Sequence, residues 1–172
     1  MREIPLGRSG RVALIDDEDF GRVSSAGRWQ FNMLGRNSHG VAYCYAQRKV
    51  PNGKGGTRTV MLHRFILDAP SGMMVDHLNH DGLDNRRCNL RLATRSENLA
   101  NHRKGRGTSS RFLGVYWHKL GRKWAAGCSG AHLGMFANEV DAALAYDRAA
   151  SRAFGAFASL NFPAAFWGLR PD

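Results

Sequence analysis

The chain has 172 residues, room for one ordinary domain or two small ones, and carries 25 Lys and Arg against 14 Asp and Glu, a formal net charge of +11. With 43% hydrophobic and 23% charged residues it is no disordered polyelectrolyte, and no apolar run approaches the roughly 20 residues of a membrane span. Such a basic excess points to a polyanionic partner, with nucleic acid first, although charge alone serves DNA, RNA and an acidic membrane surface alike. The opening MREIPLGRSGRVALIDDEDF has no apolar stretch between a basic end and a cleavage site, so no secretory signal is expected. Cys44, Cys88 and Cys128 lie far apart with no Cys-x-x-Cys, which argues against a disulfide framework or a cysteine-ligated zinc and for a reducing, cytoplasmic setting.

The pattern of elements predicts an α+β fold. The first sixty residues are β-rich, beginning with a short strand over Arg11 to Ile15 that is closed by the acidic turn Asp16-Asp17-Glu18-Asp19. The aromatic and apolar run Val41 to Val50 and the β-branched, then apolar run Thr57 to Leu67 flank Pro51-Asn52-Gly53-Lys54-Gly55-Gly56, which predicts a β-hairpin. This segment holds no cluster of catalytic residue types and reads as a scaffold. A central block follows: a strand from Met74 to Leu78, a Gly- and Asn-rich loop from Asn79 to Asn89, and a second short strand, Leu90-Arg91-Leu92. Thr94 with Glu97 three residues on forms a capping box, predicting a helix from Arg95 to about Lys104 that stops at Gly105.

Gly105 to Ser110 is a flexible basic linker. Beyond it, Phe112 to Tyr116, Lys123 to Gly127 and His132 to Phe136 are three predicted strands of an antiparallel sheet. Asn138 with Asp141 caps an alanine-rich helix that ends at Gly155 and packs on that sheet. The domain reading is therefore a β-rich segment over 1–60, a central core over 61–104, a linker over 105–110, a sheet-and-helix module over 111–163 and a tail over 164–172.

Chemistry concentrates in the central block. Asp76-His77 ends a strand, and Asn98 and His102 lie four apart on one face of the next helix. With that helix across the strand end, a carboxylate, an amide oxygen and an imidazole converge on one ion. His77, the next residue along the strand, points the other way and is better placed to act on water. Asn89, in the loop, is a candidate to orient the imidazole through its side-chain oxygen. This set suits phosphodiester hydrolysis: histidine is a base with a pKa near neutrality, and Asp and Asn oxygens are hard ligands for Mg²⁺ or Mn²⁺. Arg86, Arg87, Arg91, Arg95, Arg103, Lys104 and Arg106 form the densest basic run of the chain, suited to backbone phosphates. On spacing alone, a metal site and a purely structural role stay open. In the C-terminal module, Tyr116, Trp117, Lys119, Arg122, Lys123, Trp124 and His132 interleave aromatic and basic groups as a nucleic-acid face would, while Trp124 and Phe136 also fit a plain core.

The stretch VDHLNHDGLDNRRCNLRLATRSENLANHRK resembles the HNH endonuclease superfamily, in the branch found in phage and intron homing endonucleases. The resemblance implies a ββα-metal core in which Asp76 is the metal-binding carboxylate and His77 the general base. It makes Asn89 the middle Asn that braces the base, Asn98 the helical metal ligand and His102 a further ligand, as in colicin-like relatives. His63-Arg64 also fits the branch, and His80 stands where the branch usually has Gly. Residues 111–163, from RFLGVYWHK to SLNFP, are similar to the Apetala-two/ethylene-response-factor DNA-binding domain. That likeness implies DNA contacts from Arg111, Trp117, Lys119, Arg122, Lys123 and Trp124. Leu113, Tyr116 and Ala125 replace arginines common in that family, which predicts looser target recognition. Together the two resemblances imply a double-stranded DNA endonuclease with one Mg²⁺ or Mn²⁺ per site, monomeric and nicking, with a double-strand break requiring a dimer or sequential nicks. The alternative is a non-catalytic DNA-binding protein or regulator with a degenerate nuclease site.

Overall fold

A computed structural model of the protein describes residues 1–36, 42–101, 104 and 107–162, folded as α+β. The chain divides into two compact units, Met1–Arg95 and Ser96–Asp172.

In the first unit, β1 (Arg2–Pro5) and β2 (Val12–Ile15) pair antiparallel, with Ile4 opposite Ala13 and both buried. The acidic run after β2 is not a turn. Asp16 is the N-cap of α1 (Asp17–Ser25), whose first turn holds Asp17, Glu18 and Asp19. Carboxylates at that end meet the partial positive charge of the exposed amides, which is the physical reason a charge cluster starts a helix here. β3 (Gln30–Arg36), β4 (Ala42–Pro51) and β5 (Thr57–Met61) form an antiparallel sheet in that order. The predicted hairpin is present, with Pro51 opposite Thr57. Asn52 Oδ1 closes its turn by accepting the amides of Lys54 and Gly56 at 2.9 and 3.0 Å.

The second strand of that hairpin stops at Met61, not Leu67. Leu62–Ile66 is a short helix, α2, because Leu62 and Ile66, four apart, both reach the core. Arg64 of α2 donates to the carbonyls of Met73, Ala69 and Pro70 at 2.6, 3.0 and 2.9 Å, and so fixes the path into the next strand. β6 (Met74–His77) and β7 (Leu90–Ala93) then pair antiparallel across the long loop. Leu90 shares one core with Ile4, Leu6, Ile15, Val23, Trp29, Leu62 and Ile66, so the N-terminal strands and this hairpin pack as a single body.

In the second unit, α3 (Arg95–Ala100) begins at the boundary and is shorter than the helix predicted to reach Lys104. Residues 102, 103, 105 and 106, and the tail from 163 on, lie outside the described residues. β8 (Val115–His118), β9 (Lys123–Cys128) and β10 (Ala131–Phe136) form an antiparallel sheet in the order β10-β9-β8. β8 starts three residues later than predicted because Gly114, at φ +71, ends a turn rather than extending a strand. α4 (Glu139–Phe154) packs Ala142, Ala143, Tyr146 and Ala150 inward, and Asn138 Oδ1 caps it by accepting the Asp141 amide at 2.7 Å. Asp147, buried on α4, accepts the Asn161 and Phe162 amides at 2.8 and 2.9 Å, and Asn161 in turn bonds both backbone groups of Leu113. Asp147→Ala removes the acceptor of two half-buried amides and is expected to lower the unfolding free energy by about 2 kcal/mol, read by denaturant titration.

Candidate active site

Asp76 and His77 end β6, directly opposite Arg91 and Leu90 of β7. Only 5% of Asp76 and 7% of His77 is exposed. Arg91 donates both Nε and Nη2 to Asp76 Oδ2, at 2.8 and 2.7 Å. Beyond His77 the chain turns at once: the His80 amide donates to the His77 carbonyl and the Leu78 amide to the Asn89 carbonyl, each at 2.9 Å. His80 sits at φ 61, the left-handed region that a glycine enters without strain, so its place in the tight turn explains why Gly is the usual residue there. His80→Gly is expected to raise stability by up to about 1 kcal/mol in a denaturant melt.

The loop from Leu78 to Asn89 is held by its own polar side chains. Asn79 Nδ2 donates to Asp84 Oδ2 at 2.9 Å, and Asp84 takes a bidentate pair from Arg86 at 2.7 Å. Arg86 holds the Asp84 carboxyl below the usual carboxylate range. Asn89 Oδ1 accepts the Asn79 amide at 2.9 Å, and its Nδ2 donates to the Asp84 carbonyl at 2.7 Å. The side-chain oxygen read from sequence as orienting the imidazole thus accepts from the loop backbone, and Asn89 holds the turn that follows His77. Leu14 and the loop exchange backbone bonds, Leu14 amide to Leu83 carbonyl and Asn85 amide to Leu14 carbonyl, both 2.8 Å. Arg87 ties the far end to α1 by two bonds to Asp19 at 2.8 Å, and its amide donates to Asp16 at 2.7 Å.

Three rings meet at His77. His63 of α2 stands perpendicular to it with centroids 5.1 Å apart, and Tyr45 of β4 lies 6.0 Å from His77 and 5.5 Å from His63. Burial lowers the pKa of His77; the Asn85 side chain and the carboxylates of Asp76, Asp81 and Asp84 oppose this without overcoming it. Burial, with His77 and Arg64 adding to it, pulls His63 down to about 3. Gly82 brings the loop against β4 so closely that a Cβ there would strike the Cys44 carbonyl oxygen and lie 2.6 Å from the Tyr45 ring.

The structure therefore brings Asp76, His77 and Asn89 together on one hairpin. Asn98 lies half-buried on α3 in the second unit, and His102 and Arg103 lie outside the described residues. Arg86, Arg87 and Arg91, read from sequence as phosphate contacts, are each held by a carboxylate of this chain. Arg95 is exposed, and Lys104 Nζ donates to the Val115 carbonyl at 3.2 Å. Tyr45, Asn85 and Gly82 at the site had no local signal, because their place depends on β4 and the loop meeting in three dimensions. His63-Arg64 was the one part of this shell visible beforehand. Among the described residues no group of three or more His, Cys, Asp or Glu side chains is arranged to hold a metal. The donor that fits Mg²⁺ or Mn²⁺ is the hard carboxylate of Asp76.

On the C-terminal sheet, Trp117 faces Trp124 across β8 and β9, with centroids 5.0 Å apart. Strand alternation puts both on the side of buried Val115 and Ala126, and Trp124 packs against that cluster. The opposite side carries Tyr116, Lys123 and Met135, all exposed. Lys119 and Arg122 are exposed in the turn between β8 and β9, and Arg111 bonds Glu139 through its amide at 3.1 Å.

A strand-end Asp-His, a braced polar loop and a returning strand define a candidate hydrolytic site, and a short helix follows them in the chain. Residues 68–100, which contain all of these elements, match the family model described as HNH endonuclease. This match supports an HNH nuclease acting on DNA; it ends before the C-terminal sheet. Comparison with curated proteins and with solved structures gave no match. No helix among the described residues is long and apolar enough to cross a membrane.

Proposed function

We propose that this protein is a divalent-metal-dependent DNA endonuclease of the homing type, nicking one strand per active site and targeted by its C-terminal sheet-and-helix module. The observation that carries the reading is the buried Asp76-His77 pair at the end of β6, seated on a self-braced loop inside the HNH-matching span. His77 acts on water: burial favours the neutral imidazole, whose lone pair accepts the water proton as the oxygen attacks phosphorus in line with the 3′ oxygen. The new bond is P–O from water and the broken bond is P–O3′. The 3′ oxygen leaves with a proton from solvent, giving 5′-phosphate and 3′-hydroxyl ends. Asp76 is the residue that would hold the ion, with Asn98 and His102 the further ligands that the resemblance implies. When bound, one Mg²⁺ or Mn²⁺ supplies compensation for the charge that develops on the phosphate and the leaving oxygen.

Arg86, Arg87 and Arg91 serve this function by holding the loop and Asp76 in place. Arg95, Arg111, Lys119, Arg122 and Lys123, all exposed, are the phosphate and groove contacts of the proposal. Arg103, Lys104, Trp117 and Trp124 stand behind them as the remaining candidates. The working unit is a monomer on double-stranded DNA in the cytoplasm. The test is the chemistry of the ends: circles nicked by the protein should be resealed by a DNA ligase, which needs 5′-phosphate beside 3′-hydroxyl, and circles that resist resealing contradict the in-line attack described.

One observation favours a second reading, a DNA-binding regulator whose site has decayed. Asp76 is already neutralised by Arg91, a partner that competes with a cation. DNA binding that is indifferent to metal and followed by no cutting is the result that reading requires.

A further inference from the structure

The reaction as proposed gives no task to the second imidazole of the site. His63 is 8% exposed, its Nδ1 is sealed from solvent, and that nitrogen has no hydrogen-bond partner. Burying a polar atom without a partner is unfavourable, so a phenylalanine would fill the same space and keep the same edge-to-face contact with more stability. Packing therefore does not account for a histidine at this position. The sealed nitrogen also sets the tautomer. Orphaned N–H groups are rarer in protein interiors than under-satisfied acceptors, so Nδ1 is the bare nitrogen and the proton sits on Nε2, the ring nitrogen that is not sealed in this way.

The ring that carries this N–H stands perpendicular to His77, with centroids 5.1 Å apart. In the proposed reaction the attacked phosphate lies one water beyond His77, where the ring of His63 is the neighbour that would offer it a donor. We propose that His63 is a second catalytic residue, donating its Nε2–H to a non-bridging oxygen of the phosphate attacked at His77. The inference rests on the nuclease reading. Charge spreads over those oxygens in the transition state, and a donor fixed in a site with little water is worth far more there than in solution. A neutral donor also suits its place: a cationic ring beside His77 would make that imidazole a poorer base. The low pKa of His63 keeps the ring neutral across the working range.

Two variants of the full chain separate this role from packing. His63→Phe keeps the ring and removes the orphaned nitrogen together with the donor. His63→Gln keeps an amide N–H near the position of Nε2. The expected result is that the Phe variant melts no lower than wild type and binds DNA as tightly, while its kcat for plasmid nicking falls about 100-fold with KM unchanged. The Gln variant should nick within about tenfold of wild type. A Phe variant that nicks at the wild-type rate overturns the proposal, as does a Gln variant no faster than Phe. A Phe variant that melts well below wild type overturns the argument from the sealed nitrogen. A wild-type protein that cuts nothing with any metal overturns the nuclease reading, and this proposal falls with it.

Discussion

Replacing His77 by alanine should abolish nicking while DNA binding stays within about twofold of wild type. In the proposed reaction the imidazole takes the proton from water, and removal of a general base lowers a rate by about 100- to 10,000-fold. Binding should survive because His77 is 7% exposed and contributes little surface to a partner. The loop that carries it is held by Asn79, Asp84, Arg86 and Asn89, none of which the substitution touches. A plasmid-nicking time course beside a gel shift checks both halves, and cleavage retained in His77→Ala would refute the base assignment.

The second large effect belongs to a residue with no chemistry of its own. In Gly82→Ala the new Cβ meets the Cys44 carbonyl oxygen and the Tyr45 ring. The first is backbone of a paired strand, and the second is wedged against His63 and His77, so neither can give cheaply. Overpacking of this kind costs about 3 kcal/mol at the upper end of its usual range. The expected outcome is a marked drop in melting temperature together with loss of cleavage, because Leu83 and Asn85 next to it make the backbone bonds that dock the loop on Leu14. A melting curve and a nicking rate both unchanged would show that the loop has room that the structure does not give it.

The two predictions also mark where sequence reading reaches. The strand-end Asp76-His77, the polar loop and the returning Leu90-Arg91-Leu92 were visible because residue type, spacing and turn chemistry coincide within one short stretch. The cap of α4 at Asn138 and Asp141 was legible for the same reason, since it is a local bond between residues three apart. The acidic run at the start of α1 misled because four carboxylates suit a turn as well as a helix start, and the helix is short, with Gly21 inside it and only Phe20 and Val23 apolar. The apolar run through Leu62 to Leu67 serves a strand or a helix equally until the core selects the spacing of Leu62 and Ile66.

Long-range contacts set the rest. Arg87 reads as a phosphate contact, and nothing near it in the sequence shows that it also bonds Asp19, on a helix 68 residues earlier. Tyr45 comes to His77, and Gly82 to the Cys44 carbonyl, only because the loop packs against β4. That Trp117 and Trp124 face each other on the helix side of their sheet follows from strand register, which their neighbours in sequence do not reveal.

On the proposed reading this chain cuts DNA with a divalent ion held at the end of β6. The most direct measurement is conversion of supercoiled plasmid at low salt, where non-specific phosphate contacts are strongest, with Mg²⁺, Mn²⁺ or EDTA. The expected result is relaxed circles with one or both metals and none with EDTA. A protein that shifts the plasmid on a gel but leaves it supercoiled with every metal would contradict it.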